Sequence, residues 1–170
     1  MKKDLFKTLA LSAFILLAAS SCKKTVFNAA VAPGIPADTL TISPIYTKSV
    51  NGVYESVYPG SDAANVFKLQ LTKNGWFNFA TNATFVYLSE ENGNASACFP
   101  VPGASPSGSL YDLYWQNVHI DAPEAVIGRA GDSSDKIREI RVVFMSKTIW
   151  ENSHVDCTDY PAMARHFGLN

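Results

Sequence analysis

Three Asn-Gly pairs constrain the fold of this chain more than any other feature of its sequence. Asn51-Gly52 and Asn74-Gly75 each separate two runs rich in β-branched and aromatic residues, and Asn92-Gly93 follows a third such run. Both residues of an Asn-Gly pair tolerate positive φ, and the type I′ turn that needs positive φ has the twist of a β-hairpin. The pairs therefore predict antiparallel hairpins.

Residue alternation supports the same conclusion. Phe67, Leu69 and Leu71 alternate with Lys68, Gln70 and Thr72, which is the period of a strand with one buried and one wet face. The longest further strand candidates are 110–120 and 137–150, whereas residues 100–109 and 121–135 are predicted to be loops.

The last residues carry the signals of one short helix. Asp159 is placed to cap it, Pro161 suits its first position, and Gly168 is placed to close it. Only about seven residues fit between these signals, so the helix is predicted to be a terminal ornament. We therefore predict an all-β fold, an antiparallel sandwich or open barrel of seven to eight strands with a short C-terminal helix.

The first 22 residues have the pattern of an export signal. Lys2, Lys3 and Lys7 precede an apolar run from Leu9 to Ala19, which spans roughly 16 Å as a helix and is too short to cross a bilayer. The small residues Ala19-Ser20-Ser21 then precede Cys22. This arrangement resembles the lipobox of bacterial lipoproteins, although Leu is more usual at the position of Ala19.

The resemblance to bacterial lipoproteins implies a specific processing of the chain. The thiol of Cys22 would receive diacylglycerol, the chain would be cut before it, and the new amine would be acylated, typically with palmitate. Two or more acyl chains hold a protein stably on a membrane. Residues 1–21 would then be the signal peptide, 22–38 the lipidated Cys and a flexible tether, and 39–170 a single β domain. Lys23 and Lys24 favour the outer membrane.

The charge of the mature chain bears on its partners. The removed segment carries three lysines and one aspartate, so the formal net charge moves from −1 to −3. A mildly acidic chain without a basic cluster argues against nucleic-acid binding. The expected partner is a membrane, contacted through the lipid anchor, together with a glycan or another envelope protein. The residues suggest no cofactor.

Two cysteines, Cys98 and Cys157, remain after lipidation of Cys22. An exported protein meets an oxidising compartment, so we predict a Cys98–Cys157 disulfide. The closed loop of about 60 residues would contribute roughly 4 kcal/mol. Two unpaired buried thiols are the alternative, and a zinc site is disfavoured because neither Cys has a CxxC partner.

Consecutive aromatic residues give the main candidates for ligand contact. Trp76 and Phe77 are adjacent, as are Tyr114 and Trp115, and neighbours on a strand point to opposite faces. One member of each pair is therefore expected to be exposed, where a flat ring suits stacking on a sugar or an apolar protein contact. Burial of both faces by a barrel or a covering loop is the alternative.

Two His-x-Asp pairs give a weaker candidate site. On a strand His119 would stand beside Asp121, and His154 beside Asp156. If the pairs met, they would offer two nitrogens and two carboxylates to a divalent metal. The ordinary alternative is two half-exposed histidines at strand ends.

The sequence contains no G-x-S-x-G elbow, and the adjacent carboxylates Glu90 and Glu91 would point to opposite sides of a strand, so no catalytic residue is assigned. The leading hypothesis is a non-enzymatic, envelope-anchored binding module for a glycan or another envelope protein. A structural or assembly subunit of the envelope is the second hypothesis, and it would expose an extended edge strand. A metal-dependent hydrolase using His119, Asp121, His154 and Asp156 is the third.

Overall fold

A computed structural model describes residues 39–62, 64–71, 81–90, 98–116, 123–130 and 136–169. These residues form ten strands and two short helices. The strands are β1 Thr39–Ile42, β2 Tyr46–Val50, β3 Val53–Pro59, β4 Val66–Gln70, β5 Asn82–Glu90, β6 Cys98–Val101, β7 Gly103–Ala104, β8 Leu110–Gln116, β9 Glu124–Ala130 and β10 Ile137–Ser146. The helices are α1 Lys147–Ser153 and α2 Tyr160–Phe167.

The strands form two five-stranded sheets, which confirms the all-β sandwich. Sheet A has the order β1-β4-β9-β8-β7, and sheet B has the order β2-β3-β10-β5-β6. All pairings are antiparallel except that of β1 with β4, which is parallel. The described part of the chain therefore has ten strands, more than the seven to eight expected.

The main core lies between the sheets and follows the alternation of their strands. Phe67 and Leu69 of β4 are buried in it, whereas Gln70, the last residue of β4, is exposed. Ile140 and Val142 of β10 meet them from sheet B. Burial of a Leu, Ile or Phe side chain contributes about 1.5–3 kcal/mol, so this layer supplies most of the driving force.

The first Asn-Gly turn has the predicted geometry. Asn51 and Gly52 have φ values of 50° and 80°, and they join β2 to β3 in an antiparallel hairpin. The chain also returns after β5 into β6, with Ser89 opposite Cys98. The pairs Asn74-Gly75 and Asn92-Gly93 themselves lie outside the described residues, as do the signal peptide, Cys22 and the tether.

The prediction of a long loop over residues 121–135 was wrong. Strand β9 lies there, in the middle of sheet A between β4 and β8. Ala125 and Ile127 are fully buried in the core between the sheets. The strand was missed because Glu124 and Gly128 interrupt its apolar pattern, and both face away from that core.

The predicted strand 137–150 is too long, because β10 ends at Ser146 and a helix follows. The Ser146 hydroxyl accepts a hydrogen bond from the backbone N–H of Ile149 at 3.2 Å, which is an N-cap. The cap starts α1 although Ile149 and Trp150 are residues that favour strands.

The C-terminal helix is present, and its caps are the predicted ones. The Asp159 carboxylate accepts from the backbone N–H of Ala162 at 3.1 Å, and Gly168 ends the helix with φ of 69°. The helix is more than an ornament, however. Tyr160, Met163 and Ala164 are buried in a second apolar cluster on the outer face of sheet B.

Candidate functional site

The outer face of sheet B is closed by the chain's own C-terminal segment. Helix α1 packs on β10 and β5, and α2 packs on β6. The Tyr87 hydroxyl donates to the carbonyl oxygen of Cys157 at 2.6 Å, beneath the fully buried Met163. Burial raises the pKa of Tyr87 above its usual range, as expected for a phenol without water access. This face is therefore unsuited to ligand contact.

A buried carboxylate fixes α2 to sheet B from the β2 side. Glu55 of β3 is completely buried, and its Oε1 accepts from the Tyr160 hydroxyl and from Arg141 Nη1 at 3.3 Å. Its Oε2 lies 3.0 Å from Lys48 Nζ. Arg141 also reaches Glu139 at 2.6 Å, and Lys48 donates to the carbonyl oxygen of Leu169.

The electrostatics of this network follow from its burial. Burial raises the pKa of Tyr160 above its usual range, and its hydrogen bond to Glu55 raises it further. Burial lowers the pKa of Arg141, but Tyr160 and Glu139 outweigh that effect and hold it above its usual range. Every group is thus committed to a neighbour in the network, which is the arrangement of a structural clamp.

The outer face of sheet A is different, because the strongest contacts of both described helices are with sheet B. We call this outer surface the open face. It carries every second residue of β4, β9 and β8: Val66, Lys68, Gln70, Glu124, Val126, Gly128, Ala130, Leu110, Asp112, Tyr114 and Gln116. Six of these eleven residues have polar side chains, Leu110 is a large apolar residue that is 59% exposed, and Tyr114 is the aromatic residue among them.

The Tyr114/Trp115 pair is divided between the two faces of sheet A. Trp115 packs against the core between the sheets. Tyr114 points the other way, onto the open face, where it is half-buried and lies opposite Val126. The expectation was that one member of this pair is exposed; Tyr114 faces outward, but both residues are partly buried. Trp76 and Phe77 lie outside the described residues.

A small gap in the open face lies beside Tyr114. At Gly128, no heavy atom of the described structure lies within 4 Å of the position that a Cβ would occupy. The strand neighbours of Gly128 are Asp112 on one side and Val66 on the other. We call Gly128 and its neighbours Asp112, Tyr114, Val66 and Val126 the notch.

The notch combines two buried valines with an exposed charged residue. Val66 and Val126 are buried, yet neither belongs to the two apolar clusters described above. The Asp112 carboxylate is exposed, and its Oδ2 lies 3.5 Å from the Tyr114 hydroxyl. An aromatic ring, an acceptor-only carboxylate and an unfilled backbone position together suit contact with a polyhydroxylated ring.

The neighbouring charges of the open face are already matched. Lys68 Nζ lies 2.9 Å from Glu124 Oε2, and both side chains are largely shielded from solvent. Because this pair is internally neutral, Asp112 contributes a negative charge next to the notch.

The second His-x-Asp pair does not form a strand site. His154 is exposed and ends α1 with φ of 52°. The Asp156 carboxylate accepts from the backbone N–H and hydroxyl of Thr158 at 2.9 and 2.7 Å, and these hydrogen bonds lower its pKa. His119 and Asp121 lie outside the described residues. Within the described ranges, no three His, Cys, Asp or Glu side chains are grouped to hold a metal.

The structure shows no disulfide between Cys98 and Cys157, so the predicted bridge is absent from it. They do share the apolar cluster under α2, so the two cysteines lie in one region of the fold. The Cys157 thiol is turned toward the carbonyl oxygen of Val155 in its own loop, at 3.6 Å. Burial raises the pKa of the Cys98 thiol, which disfavours the reactive thiolate.

Comparison with known proteins adds no relative to this description. No protein-family model, no curated protein and no solved structure matches the chain. None of the described helices is long and apolar enough to cross a membrane.

Sequence reasoning identified Tyr114 but missed the rest of the notch. Asp112 lies two residues before Tyr114 on the same strand, so period-2 alternation was an available signal for it. Gly128 carried no such signal, because its strand was assigned to a loop. Its position beside Asp112 follows only from the pairing of β8 with β9.

Proposed function

We propose that this chain is a non-enzymatic binding module of the bacterial envelope, held to a membrane by lipid on Cys22 and contacting a glycan through the open face. The observation that carries the proposal is the notch at Gly128, with Tyr114 and Asp112 at its rim. Sheet B offers no equivalent surface among the described residues, because α1 and α2 pack on it.

The described residues of the open face do not match the arrangement that glycoside hydrolysis uses. Glycoside hydrolysis uses two carboxyl groups at a defined separation on either side of the bond that breaks. On the open face Glu124 is engaged by Lys68, which leaves Asp112 as a single carboxylate beside the notch. Binding is the activity that such a set of groups supports.

A glycan array with the full chain in detergent tests the glycan part of the proposal. Tyr114→Ala removes the outward ring, and Tyr46→Ala is the matched control because Tyr46 is an exposed tyrosine on sheet B. Binding of one glycan class that is lost in Tyr114→Ala and kept in Tyr46→Ala supports the proposal. Equal binding by all three proteins contradicts it.

The lipid anchor has its own test. Cells expressing the full chain are labelled with an alkyne analogue of palmitate and then fractionated. We expect label and outer-membrane recovery for the wild type, and loss of both for Cys22→Ser. Membrane recovery of an unlabelled chain would contradict anchoring through Cys22.

An assembly role is the second candidate, and one feature of the edge of sheet B favours it. Strand β2 lies at that edge, paired with β3 on one side. Ile45, just before β2, and Tyr46, its first residue, are 63% and 45% exposed, which is unusual for large apolar residues. Edge strands with exposed apolar side chains add strands from partners. The test is crosslinking in cells. This candidate is favoured if the wild-type chain crosslinks to a partner protein, the Ile45→Lys variant does not, and no glycan binds.

A further inference from the structure

We infer that two copies of this chain pair edge to edge through β2, so that their two copies of sheet B form one continuous antiparallel sheet. The inference concerns the edge of sheet B and is independent of glycan binding on the open face. It rests on the assembly role described above, and it names the partner as a second copy of the chain. Its steps concern the backbone of β2, the register of the pairing and the side chains that this register brings together.

The backbone of β2 presents hydrogen-bonding groups along its outer edge. The two-residue turn between Val50 and Val53 makes these two residues a hydrogen-bonded pair of the hairpin. Hydrogen-bonded and non-hydrogen-bonded pairs alternate along an antiparallel ladder, so Thr47 and Ser49 form non-hydrogen-bonded pairs with β3. Their N–H and C=O groups therefore point away from β3, to the side on which no other described strand lies.

Two contacts agree with this direction of the backbone groups. The Thr47 and Ser56 hydroxyls lie 2.9 Å apart, as expected for a non-hydrogen-bonded pair, in which the side chains are closer. The backbone N–H of Ile45 donates to the carbonyl oxygen of Val57 at 2.6 Å, so the chain just before β2 is already turned toward β3. The outward groups are thus confined to residues 47–49, which limits the registers that a partner strand can adopt.

A symmetric antiparallel pairing of two β2 strands can be centred on Thr47, Lys48 or Ser49. Centring on Lys48 places this lysine directly opposite its own copy, and like charges in that position are destabilising. Centring on Ser49 requires Asn51 to pair as extended backbone, but Asn51 belongs to the turn and has φ of 50°. Centring on Thr47 avoids both conflicts and places Tyr46 opposite Lys48 of the second copy. The charge and the turn therefore select the register centred on Thr47.

This register covers the exposed apolar residues at the start of β2. The Tyr46 ring meets the stem and ammonium group of Lys48 of the second copy, and a cation is attracted to the face of an aromatic ring. Ile45 comes alongside Ser49 and the half-buried Val50 of the second copy. Because the pairing has twofold symmetry, each contact occurs twice. The strand thus carries an aromatic residue and the cation that faces it in the reversed strand, which is why a second copy fits this edge.

The register predicts which cysteine variants form a disulfide between two copies. The two Thr47 Cα atoms would lie about 5.5 Å apart, within the range that a disulfide spans. The two Ser49 Cα atoms would be about 14 Å apart, because they are four residues apart along the paired strands, and that distance is too long for a disulfide. Thr47→Cys is therefore the test and Ser49→Cys the matched control, since both residues are exposed on the same strand.

The experiment treats cells that express the full chain with copper phenanthroline, which catalyses the oxidation of two adjacent thiols to a disulfide by oxygen. Non-reducing gels then separate monomer from covalent dimer. We expect a dimer for Thr47→Cys and none for Ser49→Cys or the wild type, which reports the background from Cys98 and Cys157.

A second substitution tests the contact that selects the register. Tyr46→Lys, added to Thr47→Cys, should abolish the dimer, because it places a lysine opposite Lys48 of the second copy. Leu110→Lys, added to Thr47→Cys, should leave the dimer intact, since Leu110 is an equally exposed apolar residue on sheet A.

Four results would overturn the inference: no dimer from Thr47→Cys, equal dimer from Thr47→Cys and Ser49→Cys, a dimer that survives Tyr46→Lys, or a disulfide from position 47 to a different protein. The last of these would leave the assembly role in place with another partner. Glycan binding on the array is measured separately, so its presence or absence does not depend on any of these results.

Discussion

The buried carboxylate of Glu55 gives the sharpest prediction for this fold. Glu55→Gln keeps the size of the side chain but leaves Lys48 and Arg141 facing a neutral amide. Removing one partner of a buried ion pair costs about 3–5 kcal/mol, because the remaining charge is left desolvated. Lys48 and Arg141 are 30% and 20% exposed and keep other acceptors, so we expect the lower end, about 3 kcal/mol.

The effect is large enough to measure by thermal unfolding. For a domain of about 130 residues, 1 kcal/mol shifts the melting temperature by roughly 3–4 °C, so Glu55→Gln should melt about 10 °C lower. Circular dichroism of the full chain in detergent gives the midpoint. Hydrogen exchange should show the largest loss of protection in α2, because Tyr160 donates to Glu55 and holds the helix on sheet B.

Glu139→Gln is the matched control for this prediction. It makes the same chemical change and touches the same guanidinium, but Glu139 is one-third exposed. Exposed ion pairs contribute less than about 1 kcal/mol, so the control should shift the melting temperature by less than roughly 4 °C. Equal shifts for the two variants, or unchanged exchange in α2, would refute the clamp.

Three further outcomes are expected. Gly60→Ala should lower the free energy of unfolding in urea by about 3 kcal/mol, because the new Cβ would lie 1.9 Å from the Ile137 carbonyl oxygen. A loss of stability no larger than that caused by Gly128→Ala would contradict this close approach. Met163→Ala should lower the free energy of unfolding by about 2–5 kcal/mol, because it leaves a cavity at a fully buried site. The loss should be much larger than that caused by a substitution on the surface of α2. Stability should also fall above pH 10, because the buried phenol of Tyr87 keeps its proton while the unfolded chain releases it. For Tyr87 each pH unit above 10 then subtracts about 1.4 kcal/mol. Burial also raises the pKa values of Tyr58 and Tyr160, so Tyr87→Phe should reduce the slope by about this amount and leave the rest, in urea titrations at pH 9 to 11.

The parts of the fold that the sequence predicted are those in which local chemistry decides the backbone. Asn51-Gly52 forms its turn because both residues accept positive φ, and Asp159 and Gly168 bound α2 through caps within four residues. These signals involve residues within about one turn of the chain, so they do not depend on contacts with residues distant in sequence.

The errors arose where contacts distant in sequence decide. Strand β9 has Glu124 and Gly128 on its outer face, so its pattern is too polar to read as a central strand. Its two neighbours, β4 and β8, supply the pairing that makes it one. At the end of β10, one serine hydroxyl starts α1 against the strand preference of Ile149 and Trp150. Likewise, Tyr114 was visible as an aromatic residue, but its neighbour Gly128 is 14 positions away along the chain and adjacent only through the sheet.

The two outer faces of this sandwich carry opposite kinds of polar chemistry, and that contrast supports the choice of the open face. On sheet B the charges are buried, paired and tied to the C-terminal segment, so a ligand there would have to displace α2. On sheet A the carboxylate of Asp112 is exposed and lies opposite Gly128, whose Cβ position no described atom fills. Strand β1, at the edge of sheet A, is also where the described domain begins after the proposed tether. Seventeen residues from Cys22 to position 38 span at most about 60 Å when fully extended. A lipid on Cys22 would therefore limit the distance between the membrane surface and the open face to the length of this segment plus the width of the domain.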